Sequence, residues 1–242
     1  MPASELVVQG TDGQAFRARW LRSVYLHCRF IEGHLSRHSS ANNHLIGEAT
    51  GLYLGAMAWP HWPRARQWRE AAREILEREA LLQNAPDGVN REQAVSYQQF
   101  VLDFQLFCLL AGKANGQGFS AGYEARIEAM LDYLASIMDA GGNVPMFGDA
   151  DDAYVAKLDP REGFCRYKSL LASGALLFDR ADFKAKAGTL DDAALRDDDD
   201  LVGRPDRREA VRDDDGRHRA LARHRGDRAV GEEALEELGL GA

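Results

Sequence analysis

The 242-residue chain carries 30 basic and 38 acidic side chains, which gives a formal net charge of −8, and its hydrophobic share of 45% suits a protein with an apolar core. The negative charge argues against general nucleic-acid binding, which needs a basic surface, so no nucleic-acid partner is predicted. No stretch approaches the ~20 consecutive apolar residues of a membrane span, and residues 1–9 show no signal-peptide pattern.

Hydrophobic periodicity predicts six helices. Their predicted bounds are 14–35, 44–58, 64–83, 90 to about 110, 120 or 122 to about 140, and 164 to about 178. In the first helix, Phe16, Trp20 and Val24 recur close to the 3.6-residue helical repeat. Asn90 with Gln93 three places later matches a capping box, so the fourth helix is predicted to begin at Asn90. Since no segment alternates convincingly between apolar and polar residues, the sequence predicts an all-α fold.

The second and fourth predicted helices are apolar on more than one side, which is typical of an inner helix covered by others. Alternation of inner and outer helices is expected for helical hairpins arranged as an incomplete α/α toroid. No motif repeats at a fixed period, which argues against a regular array such as a tetratricopeptide stack.

The composition changes towards the end of the chain. All 21 aromatic residues lie between Phe16 and Phe183, whereas residues 191–242 contain 16 acidic and 10 basic residues, every basic one an arginine. Such a segment cannot supply a packed interior. We therefore predict a helical domain over residues 14–183 and an Asp/Arg-rich tail over residues 191–242. The tail is predicted to be disordered, or to be the aberrant, out-of-frame end of a longer protein.

Three polar segments stand out between the predicted helices, at residues 42–48, 87–97 and 142–152. Taken singly, each has an ordinary structural interpretation as helix caps, half-buried packing or turns. The aspartates of the third segment do not have the ligand spacing of an EF-hand calcium loop. The three cysteines are widely spaced and form no zinc-ligand pair. No metal or cofactor is predicted.

Taken together, these segments resemble the heparinase II/III group of polysaccharide lyases and the related oligoalginate lyases. The likeness runs in order from about Phe16 to Phe183. The motifs that carry it are Asn42-Asn43-His44-Leu45-Ile46-Gly47-Glu48, then Gln83, Asp87-Gly88-Val89, Glu92-Gln93 and Ser96-Tyr97, and finally Pro145 with Gly148-Asp149-Ala150-Asp151-Asp152.

The resemblance implies an incomplete α/α toroid that is followed, in full-length relatives, by a β-rich domain missing from this chain. It also implies β-elimination in an acidic, uronate-containing polysaccharide, and a periplasmic or secreted location. The family's second catalytic histidine is expected in the β-rich domain. The histidines after residue 61, His218 and His224, have no recognisable context. We therefore expect the chain alone to be weakly active or inactive.

The resemblance further implies roles for single residues. In β-elimination a proton leaves the carbon beside the uronate carboxylate, so a hydrogen-bond donor on that carboxylate stabilises the developing enolate. Asn43 matches the family's amide donor, His44 is expected beside the same carboxylate, and Tyr97 matches the catalytic tyrosine that protonates the leaving oxygen. The candidate substrate-binding residues are Asn42, Glu48, Arg91 and Gln93.

Two alternatives remain open from the residues. The first is an α/α-toroid glycoside hydrolase, which needs two carboxylates about 5 Å or ~6.5–9.5 Å apart. Its candidate carboxylates are Glu48, Glu92, Asp103, Asp149 and Asp151. The second alternative is a non-catalytic carbohydrate-binding or scaffold fragment.

Overall fold

The computed structural model describes residues 11–139, 141–150, 154–156, 159 and 163–188. Within them the helices are α1 (Thr11–Gly33), α2 (Asn43–Ala58), α3 (Ala65–Gln83), α4 (Val95–Ala114), α5 (Ala121–Ile137), α6 (Arg166–Phe178) and α7 (Ala181–Ala187), with a 3₁₀ turn at His38–Ser40. The all-α prediction is confirmed. None of these helices is long and apolar enough to cross a lipid bilayer. The predicted tail lies outside the described residues.

The chain divides into two compact units. Among the described residues, the first unit comprises 11–34 and 51–70, and the second comprises 35–50 and those from 71 onwards.

A cluster of aromatic rings forms the core of the first unit. Tyr25 of α1 packs edge-on against Trp62 at 5.2 Å between ring centroids and lies 5.3 Å from Trp68. Trp59 stacks on Trp62 at 4.9 Å. Tyr25, Trp62 and Trp68 are buried. Beside this cluster, Arg64 donates to the Glu32 carboxylate at 2.5 Å. These contacts hold α1 against the segment that enters α3.

Helix α4 is the central element of the second unit. It is buried on several sides and packs against α5 and α6, while α6 packs against α7. This burial agrees with the prediction that the fourth helix is an inner one, and the packing of successive helices is consistent with a partial α/α toroid. Ser120 caps α5, because its hydroxyl accepts from the Tyr123 N–H at 3.1 Å. Helix α7 was not predicted from the sequence.

The predicted start of the fourth helix is wrong. Asn90 forms an isolated β-bridge with Asn84, and its side-chain oxygen accepts from the Glu92 N–H at 3.0 Å. Gln93 has a left-handed φ of 54°, which a right-handed helix cannot contain. Helix α4 therefore begins at Val95, and no capping box forms. Residues 84–94 are instead the loop between α3 and α4, called here the 84–94 loop.

Gly88 fixes the position of this loop against α5. Its φ is +86°, and a Cβ added there would overlap the carbonyl group of Ala129. Gly116 also has a positive φ, of +65°, but a Cβ there would meet nothing within 4 Å. Both glycines thus have a positive φ, which other residues rarely adopt. Only at Gly88 would an added side chain also clash with a neighbouring group.

We expect Gly88→Ala to lower the free energy of unfolding by about 3 kcal/mol or more, because strain and a backbone clash add. Gly116→Ala, the matched control, costs only about 1 kcal/mol, the conformational part alone. Urea denaturation of both variants measures the difference. Equal losses would contradict a close approach of Gly88 to α5.

Candidate functional site

Asn43, the first residue of α2, is held by a carboxylate from the 84–94 loop. Glu92 Oε1 accepts from the Asn43 backbone N–H at 2.9 Å, and Oε2 accepts from the side-chain Nδ2 at 2.7 Å. The backbone contact caps one N–H group that the helix itself leaves unpaired. Helix α2 has no acidic residue in its first turn, so Glu92 supplies the negative charge that the positive helix end favours.

The same contact determines how the Asn43 amide is oriented. An ionised carboxylate only accepts hydrogen bonds, so the Asn43 NH₂ group, and not its carbonyl oxygen, must face Glu92. The described residues provide no other hydrogen bond to this side chain. One N–H of Nδ2 and the carbonyl oxygen therefore remain for a ligand. Asn43 is 8% exposed, so only a small part of its surface is accessible to a ligand.

Buried neutral amides hold the 84–94 loop in place. Asn90, 1% exposed, donates its backbone N–H to Gln98 Oε1 at 2.7 Å, and Gln98 Nε2 donates to the Gly88 carbonyl at 2.9 Å. Asn90 Nδ2 donates to Asn84 Oδ1 at 2.9 Å. Because each of these groups is buried, a shift of the loop would leave polar atoms without partners. The loop therefore presents Glu92 from a fixed position.

Tyr97 lies in the first turn of α4 and is half-buried. The register of α4 on α2 follows from two contacts further along both helices. A Cβ added to Gly47 would lie 3.1 Å from Phe104 Cζ, and the Cys108 thiol donates to Thr50 Oγ1 at 3.5 Å. Tyr97 precedes Phe104 by seven residues, or two turns, and so shares its face.

The contacts pair Asn43 with Glu92, Gly47 with Phe104 and Thr50 with Cys108, so the order of the partners is the same on both segments. Asn43 and Tyr97 consequently lie at the same end of α2 and α4, on sides that face the neighbouring helix. Among the described residues, the Tyr97 hydroxyl has no hydrogen-bond partner. The two residues predicted to carry the chemistry are thus brought to neighbouring helix ends.

The third polar segment crosses the beginning of α4. The Val95 N–H donates to the Phe147 carbonyl at 3.2 Å, and the Ser96 hydroxyl donates to the Asp149 carbonyl at 2.5 Å. Gly148, with a φ of +74°, packs where a Cβ would lie 2.7 Å from the Ala94 Cβ. These contacts replace a side-chain cap on α4. Asp151 and Asp152 lie outside the described residues.

Of the other predicted site residues, some have side chains that already form hydrogen bonds within the protein, and others do not. Asn42 caps α2, because its Oδ1 accepts from the His44 N–H at 3.0 Å. Both Glu48 oxygens accept from Ser36, one from its N–H and one from its hydroxyl, each at 2.6 Å. Side chains that remain open to a ligand are therefore those of the exposed residues His44, Arg91 and Gln93.

The sequence did not reveal that Glu92 is the partner of Asn43, since it named Glu92 only within a family motif and as a candidate hydrolase carboxylate. One signal pointed that way: a helix with no acidic residue in its first turn needs negative charge from elsewhere. In the part of the chain that the structure describes, no three His, Cys, Asp or Glu side chains are grouped as metal ligands would be.

A double-mutant cycle measures the link between Glu92 and Asn43. Asn43→Ala removes only the Nδ2 contact, and we expect it to cost about 1 kcal/mol; Glu92→Ala removes both contacts and costs about 2–3 kcal/mol. The double variant should lose less than the sum, with a coupling energy of at least ~0.5 kcal/mol in urea unfolding.

The control pairs Asn43→Ala with Glu48→Ala, whose carboxylate binds Ser36 instead. Asn43 and Glu48 bind different residues, so the losses of unfolding free energy in the two single variants should add in the double variant. Additive losses for Glu92 and Asn43 would show that the contact does not contribute to folding.

Residues 11–162 match the protein family described as heparinase II/III N-terminus, and this region contains all three polar segments, 42–48, 87–97 and 142–152. A heparin-sulfate lyase from Bacteroides stercoris is 27% identical over 139 residues, which are 56% of this chain and 20% of that protein. The chain thus covers about a fifth of the length of this relative. No solved structure matches the chain.

Proposed function

Because the chain belongs to the heparinase II/III N-terminus family, we propose that it contributes catalytic residues to a polysaccharide lyase acting by β-elimination on uronate-containing chains. The observation that carries the proposal is the oriented amide of Asn43 at the same helix ends as the Tyr97 hydroxyl, which has no hydrogen-bond partner in the described part of the chain. The name of the relative, a heparin-sulfate lyase, supports an acidic polysaccharide as the substrate. We also propose a periplasmic or secreted location.

Asn43 would neutralise the uronate carboxylate. Loss of the neighbouring C–H proton turns that group into an enolate with more negative charge on its oxygens, so a fixed donor stabilises the transition state more than the ground state. The free N–H of Nδ2 is that donor. The charge of Glu92 opposes a second carboxylate nearby, and the positive end of α2 offsets part of this repulsion. His44, exposed on the same turn, supplies a second polar contact.

Tyr97 would move the proton. Elimination breaks the C–H bond beside the carboxylate and the bond to the glycosidic oxygen, and it forms a carbon–carbon double bond between them. The Tyr97 phenolate takes the C–H proton, and the phenol so formed gives that proton to the leaving oxygen, which restores the phenolate. A tyrosine at the start of α4, to whose hydroxyl the described residues offer no hydrogen bond, is suited to this transfer. Arg91 and Gln93, on the neighbouring loop, would contact the remainder of the sugar chain.

Two of the five candidate hydrolase carboxylates already have both oxygens in hydrogen bonds within the protein, which favours elimination over hydrolysis. A glycoside hydrolase needs a pair of acids that flank the bond. Glu48 uses both oxygens for Ser36, and Glu92 uses both for Asn43. Neither is available as a nucleophile or acid without loss of these contacts.

The proposal is tested by assay of the ultraviolet absorbance of the unsaturated product, first with the chain alone. We propose that the chain alone turns over weakly, because it covers only about a fifth of the length of the heparin-sulfate lyase. A chimera in which residues 11–162 replace the matching segment of the heparin-sulfate lyase should restore turnover. A folded chimera without eliminase activity would contradict the proposal.

Tyr97→Phe removes one hydroxyl and should reduce product formation by about 100-fold or more, because a general acid contributes that much. Its melting temperature should stay unchanged, since the described residues offer the hydroxyl no partner. Tyr123→Phe is the matched control: it removes a buried hydrogen bond to the Gln105 carbonyl at 3.0 Å. That variant should lose ~1 kcal/mol of stability and keep its turnover. Full activity of Tyr97→Phe would refute the assignment.

Asn43→Ala should lower kcat more than it raises KM, because the lost donor acts mainly in the transition state. Steady-state kinetics in the chimera separate the two constants. Asn115→Ala, which removes an exposed amide at the end of α4, should change neither. A rise in KM alone would mean that Asn43 only binds substrate.

A further inference from the structure

The peptide group between Asn42 and Asn43 is held at both of its polar atoms. Its N–H donates to Glu92 Oε1 at 2.9 Å, and its carbonyl accepts from Gln83 Nε2 at 3.1 Å. The helix's own bond to this carbonyl, from the Ile46 N–H, is long at 3.4 Å. Because a peptide group is planar, contacts at both atoms fix its orientation and the position of the Asn43 Cα, which lies in the same plane.

Gln83 is itself anchored by a buried carboxylate. Gln83 is 8% exposed, and Glu79, about one turn earlier in α3, is 5% exposed. Gln83 Nε2 also donates to Glu79 Oε2 at 3.0 Å, and Glu79 Oε1 accepts from the Arg78 guanidinium at 2.9 Å. A backbone carbonyl only accepts hydrogen bonds, so Gln83 must turn its nitrogen, and not its oxygen, towards Asn42. The orientation of the Gln83 amide is therefore determined.

Gln83 also contacts the loop that presents Glu92. Its backbone carbonyl accepts from the Arg91 N–H at 2.8 Å. The side chain of Gln83 thus holds the residue before Asn43, and its main chain holds the residue before Glu92. A single residue at the end of α3 consequently supports both partners of the contact between Asn43 and Glu92.

The Gln83 side chain is not optimised for packing alone. Its Oε1 atom is buried and has no hydrogen-bond partner among the described residues. An unpaired buried acceptor is unfavourable, and departures of this kind are expected at functional sites. A methionine of similar length would fill the same space without burying that acceptor, but it could not donate to the Asn42 carbonyl.

We propose that Gln83 is a positioning residue for the Asn43 amide, and that Glu79 keeps Gln83 in place. The catalytic consequence rests on the proposed function. Gln83 acts through the peptide group between Asn42 and Asn43. When its carbonyl is not held, Asn43 can move away from the position in which its free N–H meets the developing enolate. The loss should therefore fall on kcat rather than on substrate binding.

Hydrogen exchange, measured by NMR on the full chain, tests the positioning independently of activity. Gln83→Met removes the N–H donors, so we expect the Asn43 backbone N–H to exchange about fivefold faster. Gln99→Met is the matched control, because Gln99 is also a buried glutamine but bonds Asp103 and Arg166 instead. The control should leave the Asn43 exchange rate unchanged. An unchanged rate in Gln83→Met would overturn the proposal.

Glu79 offers a second pair of variants, in which Gln83 itself is intact. Glu79→Ala removes the anchor and should raise the Asn43 exchange rate by about twofold, in the same direction as Gln83→Met. Glu79→Gln retains an acceptor oxygen for Gln83 Nε2 and should keep the wild-type rate. Equal rates in these two variants would show that Glu79 does not hold Gln83 in place.

The kinetics of product formation separate this role from a purely structural one. In the full chain, or in the chimera if the chain alone is too slow to measure, Gln83→Met should lower kcat about tenfold and change KM less than about twofold. In an Asn43→Ala background the same substitution should lower kcat no further, because the group that Gln83 positions is already absent. A further loss in that background would overturn the proposal. An unaltered kcat in Asn43→Ala would overturn the proposed function, and the exchange rates would still decide whether Gln83 positions Asn43.

Discussion

The Glu92 carboxylate is the interaction on which the arrangement of the candidate site depends. It caps α2 through the Asn43 backbone N–H and orients the Asn43 side chain with its other oxygen. Because one carboxylate does both, a movement of Glu92 would weaken the helix end and release the amide together. The orientation of a group proposed for catalysis is therefore coupled to the stability of the fold. Such coupling keeps a donor in place before substrate arrives, which is how preorganised sites lower a barrier.

Glu92 keeps its position because the 84–94 loop is fixed by hydrogen bonds rather than by a regular element. Asn84, Asn90 and Gln98 are buried and bond one another or the loop backbone. Neutral amides do this at less desolvation cost than charged groups would. They also impose directions, because each donor needs its acceptor. The loop can therefore hold the Glu92 carboxylate in place and leave the side-chain amide of the next residue, Gln93, exposed.

The helices were predictable because apolar residues recur at the helical period wherever one side of a helix is buried. Helix α7 was missed because it is short and is held by remote contacts. Arg180 at its start binds Glu128 and Asp132 of α5, as well as Asp182. These carboxylates hold the pKa of Arg180 above its usual value, and Arg180 lowers the pKa of Asp182 to about 2. The pairing of Glu92 with Asn43 spans 49 residues and has no local pattern. Motif resemblance brought Asn43 and Tyr97 forward as candidates, whereas only the fold identifies what orients Asn43.

The wrong start predicted for the fourth helix falls where the candidate site is built, and the two facts have the same cause. A helix that began at Asn90 would satisfy the local capping pattern, but it would carry Glu92 and Gln93 on its first turn and withdraw both from the loop. Instead, Asn90 bonds with Asn84, Gln93 takes a left-handed φ, and the helix is delayed until Val95. A left-handed conformation for a residue other than glycine costs on the order of 1 kcal/mol, and such strain persists where the surroundings enforce it. Here the buried amides enforce it, so the local sequence preference yields to the geometry that lets Glu92 reach α2.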